Sequence, residues 1–99
     1  MATSPSSRDL HPSTGARFVF DRVGDEEPAR YGVAIYLPEA RAWVGELAWV
    51  DGRAQLTREA ELEPAHAWTH DEALKLARVL RRDPRPHMVR WRGAPDGPT

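Results

Sequence analysis

The stretch Trp43-Val44-Gly45-Glu46-Leu47-Ala48-Trp49-Val50-Asp51-Gly52-Arg53-Ala54-Gln55-Leu56-Thr57-Arg58 reads as two strands joined by a two-residue turn. A type I′ hairpin loop needs positive φ at both central residues, a demand that Asp-Gly meets well. With Val50 opposite Arg53, Trp49 pairs with Ala54, Leu47 with Leu56, Gly45 with Arg58 and Trp43 with Ala60, all on one face. The other face pairs Ala48 with Gln55, Glu46 with Thr57 and Val44 with Glu59. Apolar residues mostly meet apolar residues in this register. A slip of one residue would turn every one of them over, so the turn and the period-two pattern specify the same pairing.

Working outward, strands are expected at about 17–23, 30–37, 43–50 and 53–62, each rich in β-branched or aromatic residues and bounded by turn formers. The loop Pro38 to Ala42 would set Leu37 against Trp43, placing Tyr31, Val33, Ile35 and Leu37 on the tryptophan face. Phe18 and Phe20 join them across the loop Gly24 to Ala29. A helix at about 70–82 covers this face with Ala73, Leu76, Ala77 and Leu80 at helical spacing. Thr69-His70-Asp71-Glu72 has the form of a capping box at its start, and Asp83-Pro84 ends it. Small Ala73 and Ala77 would let the helix lie close, with Gly45 making room beneath. A last strand, about 87–91, joins an undetermined sheet edge. The fold expected is α+β: a four-stranded antiparallel meander with one helix on one face and a short final strand.

The chain has 99 residues, a net charge of −1, four Trp and no Cys. A domain this small buries only about 60% of its unfolded surface, so large aromatics matter. Trp43, Trp49, Trp68 and Trp91 are therefore core candidates, each able to bury roughly 150–250 Å². Residues 1–16 and 93–99, rich in Ser, Pro and Gly, are expected to form tails around a single domain at 17–92. The lack of Cys excludes disulfides, thiolate metal sites and cysteine nucleophiles, and suits a cytoplasmic protein. No apolar run is long enough to span a membrane. Arg far outnumbers Lys, as in GC-rich bacterial coding sequences.

Catalytic chemistry finds little to work with. Every Ser (4, 6, 7 and 13) lies in the expected tail, there is no Asn, and Gln55 is the one Gln. Glu46 and Glu59 could approach on the outer sheet face, but open carboxylates in water lack the cleft that would tune them. His66 and His70 have helical metal-ligand spacing, yet Pro64 and the Thr69 cap argue that the helix starts too late to bring them together. No glycine pattern forms a phosphate-binding loop. The expectation is a non-enzymatic protein without cofactor, metal or small-molecule ligand.

Two surfaces remain. The outer sheet face would carry Val19, Ala34, Tyr36, Val44, Ala48 and Val50, apolar enough to point to a protein partner, to self-association as a homodimer, or to cover by part of the same chain. The alternative is nucleic acid, held by the basic C-terminal quarter through Lys75, Arg78, Arg82, Arg85, Arg90 and Arg92. Residues 73–99 hold seven basic residues against Asp83 and Asp96, whereas 39–72 hold eight acids against three Arg. The hairpin at 30–49 followed by Thr69-His70-Asp71-Glu72-Ala73-Leu74 resembles the strands and T-x-x-E-A helix of the HicB-type antitoxin fold. That family's glycine-rich stretch between strands and helix has no counterpart here, so none of its functional residues is carried over.

Overall fold

At the decisive turn Asp51 and Gly52 have φ of 53° and 80°, and Val50 faces Arg53. The structure, a computed structural model, describes residues 14–25, 29–39, 41–59 and 61–94. From the turn, strands β3 (Arg41–Val50) and β4 (Arg53–Arg58) pair in the expected register down to Gly45–Arg58. The expected Trp43–Ala60 pair involves a residue outside those described. Strand β4 ends at Arg58 rather than at 62; beyond it the Glu59 amide donates to the Val44 carbonyl at 3.3 Å, and Leu62 packs against the core from outside the sheet.

Gly45 serves β4 and not the helix. A Cβ at this position would collide with the Thr57 carbonyl oxygen, so the neighbouring backbone occupies the space that was expected to admit the helix. Strand β2 (Tyr31–Leu37) pairs with β3 through Ile35–Trp43 and Leu37–Arg41. The expected Leu37–Trp43 pairing is thus off by two residues, because the connection is tighter: Glu39 takes φ 64° and the Arg41 amide donates to the Pro38 carbonyl. A two-residue slip leaves the side chains on their faces, which is why the core was still assigned correctly.

Strand β1 (Ala16–Arg22) pairs with β2 on one side and with β5 (His87–Arg92) on the other. The result is one antiparallel sheet of order β4-β3-β2-β1-β5. The meander is as expected, and β5 closes onto the β1 edge, the choice that the sequence left open. Most of the two expected tails, 1–13 and 95–99, lies outside the described residues.

Helix α1 (Ala67–Arg82) lies across the inner face, preceded by a 3₁₀ turn at Pro64–His66. Ala73, Leu76, Ala77 and Leu80 are buried against Phe18, Phe20, Tyr31, Ile35 and Leu47. The capping box does not form. Thr69 sits inside the helix and is fully buried. Its hydroxyl donates to the His66 carbonyl at 2.6 Å and accepts the Trp43 indole N–H at 2.9 Å. The motif residue that looked like a helix start is therefore the polar link between helix and sheet. At the other end the Tyr31 hydroxyl donates to the Arg85 carbonyl at 2.8 Å, fixing the exit from α1.

Three tryptophans serve the core. Trp43 is buried, Trp49 meets Tyr31 edge-on at 6.0 Å, and Trp68 meets Phe18 edge-on at 6.3 Å. Trp91 departs from expectation: it is 51% exposed. The register explains this, since Met88 opposite Phe20 faces the helix and parity then turns Val89 and Trp91 outward.

Candidate interaction face

The pairings across the sheet bring Val44, Ala34, Val19 and Val89 into one row that crosses four strands, β3, β2, β1 and β5. Val44 is 42% and Val89 39% exposed, with Ala34 and Val19 half-buried between them. On one side runs the row Ala42, Tyr36, Arg17 and Trp91, and on the other Glu46, Gly32, Asp21 and His87. No helix or strand among the described residues covers this face, since α1 lies on the other.

Of the six residues expected here, Val19, Ala34, Tyr36 and Val44 form one patch. Ala48 and Val50 lie farther along β3, beyond Glu46, beside Gln55 and Arg53 of β4. Val89 and Trp91 were not anticipated on this face. Their alternation with Met88 and Arg90 was visible, but its phase had no meaning until the edge was known.

Trp91 is held in place although exposed. Its indole N–H donates to the Thr14 carbonyl at 2.9 Å, and the ring lies against Gly15 and Gly93. Gly15 has φ 73°, and a Cβ there would collide with the Arg92 carbonyl and the Trp91 ring, so glycine is required beneath the indole. A pre-positioned exposed aromatic gives contact area at little entropic cost. Beside it, Arg17 makes no ion pair with any described residue, while Asp21 contacts His87.

The six cations proposed for nucleic acid fall in several places. Lys75 and Arg92 approach the two oxygens of Glu72 at 3.8 and 3.7 Å. Arg85 bonds Asp83 at 2.8 Å, and Arg90 donates to the Val89 carbonyl. Arg90 and Arg92 belong to β5, at the edge opposite β4. Arg78 and Arg82 line an open groove of about 630 Å³ between α1 and the β3–β4 turn, together with Arg53, Arg81, Trp49 and Leu74. Arg81 is anchored there by a hydrogen bond to the Gly52 carbonyl.

The histidine pair is separated by its bonding. His66 Nδ1 lies 3.5 Å from Glu63, whereas His70 Nδ1 accepts from Arg58 at 2.8 Å. No cluster of three potential metal ligands occurs among the described residues. Burial, then the Arg58 guanidinium, hold the His70 pKa below its ordinary 6.5, with Asp71 opposing. Between the lowered folded value and 6.5 the unfolded chain binds more protons, so stability falls on acidification through that window and is flat above it. Replacing His70 with Gln is expected to reduce this slope in thermal melts between about pH 7 and 5; an unchanged slope would contradict the assignment.

Among the described residues no helix is long and apolar enough to cross a membrane. No family model, curated protein or solved structure compared with the chain matches it.

Proposed function

We propose that this chain is a small non-catalytic protein-binding module, acting in the cytoplasm, whose outer sheet face is the binding surface. The observation that carries the reading is the unbroken apolar row Val44-Ala34-Val19-Val89, flanked by Tyr36 and by the fixed Trp91. Contiguous apolar surface rimmed by charge is the composition of an interface centre and its polar rim. Photo-crosslinking in the host cell tests it. A benzophenone amino acid at Val44 or Val89 is expected to give discrete protein adducts, and one at Asp71, on the exposed side of α1, to give none. Equal labelling from all three positions, or none from any, contradicts the reading.

A second reading rests on the groove. Arg53, Arg78, Arg81 and Arg82 gather around half-buried Trp49 with no carboxylate among the lining residues, an arrangement suited to a phosphate backbone and a stacked base. It predicts single-stranded oligonucleotide binding that weakens steeply with salt, and about tenfold or more with Arg78→Glu and Arg82→Glu together. Filter binding at low salt checks it, and absence of binding there removes it.

A further inference from the structure

We propose that the partner of the outer face is a second copy of this chain, related by a two-fold axis that runs along the Val44-Ala34-Val19-Val89 row. The inference rests on the reading of that face as a protein-binding surface and names its occupant. A two-fold along the row keeps each position along it and exchanges the two flanking rows. The row residues then meet their own equivalents, and Arg17 stands over the partner's Asp21 while Asp21 stands under the partner's Arg17.

The remaining pairs fit by size. Tyr36 comes over the partner's Gly32, where even an added Cβ would find its nearest neighbours at 3.9 Å, so the ring has room. Trp91 comes over the partner's His87 imidazole, and small Ala42 lies against Glu46. Every contact occurs twice, as an isologous interface requires. β1 lies beside the centre of the row, so the angle of about 30° at which aligned sheets cross displaces the Arg17–Asp21 pairs little.

The competing arrangements fail on charge. A two-fold along the strands would put Arg17 over Tyr36 and Asp21 over Gly32, leaving Arg17 in the contact without an opposite charge while Asp21 keeps only its own His87. Superposing like rows would put Arg17 on Arg17. The four strands of the row, ~4.8 Å apart, and seven residues of ~3.4 Å give a projected face of about 19 by 24 Å, the size of a small, reversible interface rather than of an obligate one.

The test uses two single charge reversals of the full chain, Arg17→Asp and Asp21→Arg, studied by sedimentation velocity alone and mixed. The wild-type chain is expected to dimerise. Each variant alone faces like charges twice in its own dimer, and its Kd is expected to rise about a hundredfold or more. In the equimolar mixture the acid introduced by Arg17→Asp meets the base introduced by Asp21→Arg. The unaltered Asp21 of the first variant meets the unaltered Arg17 of the second. A heterodimer is therefore expected to form with a Kd within about tenfold of the wild type. Only folded chains can give that restoration, and Arg17→Glu with Asp21→Lys provides the same exchange if either first variant does not fold.

Wild-type chain that stays monomeric, single variants that dimerise like the wild type, or a mixture of folded variants that stays monomeric would each overturn the two-fold. Crosslinked adducts from Val44 or Val89 at a mass other than twice the chain's would then retain the binding face with a different partner. Absence of adducts would remove both.

Discussion

Val19→Glu is expected to abolish association through the outer face while leaving the fold in place. Val19 stands within the apolar row between Ala34 and Val89, so a carboxylate there enters the part of an interface from which water is excluded. An uncompensated buried charge costs several kcal/mol, and in a two-fold assembly each copy contributes one. A loss of about 4 kcal/mol or more, roughly a thousandfold in Kd, follows. In the isolated chain the same side chain can reach solvent, and the β-propensity difference costs under about 1 kcal/mol. Sedimentation should therefore show loss of the associated species while the thermal midpoint moves little. Unchanged association would place the interface elsewhere.

Thr69→Val is expected to have the largest effect on stability among near-isosteric changes. The Thr69 hydroxyl is both acceptor for the buried Trp43 indole and donor to the His66 carbonyl, so removing it leaves the indole N–H without an acceptor, while the carbonyl of the N-cap His66 keeps its intrahelical bond. An unsatisfied buried group costs about 1–3 kcal/mol. For a domain of this size that lowers the melting temperature by roughly 5–20 °C. Thr69→Ser keeps the hydroxyl and should lose less than half as much. The double variant Trp43→Phe with Thr69→Val should be less destabilised than the sum of the two singles, because the orphaned indole is gone. Thermal circular dichroism of the four chains measures this, and additive losses would contradict the link between helix and sheet.

Much of the architecture was legible from Val50-Asp51-Gly52-Arg53 outward, because side-chain period and turn chemistry constrain one another. The misjudged β2–β3 loop left the face assignment intact, since the error was two residues and parity survived. Three features were not legible, each for a physical reason. Thr69-x-x-Glu72 has the pattern of a cap, but Trp43 on β3 supplies a stronger use for the hydroxyl, and a local motif cannot report a tertiary partner. The space beside Gly45 was assigned to the helix, whereas a backbone carbonyl fills it. Trp91 read as core because size alone argues for burial. Its face depends on which strand β5 joins, and that is set by the β1–β5 pairing, between residues roughly 70 positions apart in sequence. The outer face was recognised by its central strands and missed at its β5 end for the same reason.

Methyl relaxation by a soluble paramagnetic agent tests most directly whether a protein partner covers the outer row. Val44 and Val89 on the row and Val79 on the helix have similar exposures in the single chain, 42%, 39% and 37%. In dilute solution all three methyl sets should relax alike. As concentration rises, or as the captured partner is added, Val44 and Val89 should lose the enhancement while Val79 keeps it. Equal enhancement at all three under conditions of association, or protection confined to Val79, would contradict a covered outer row.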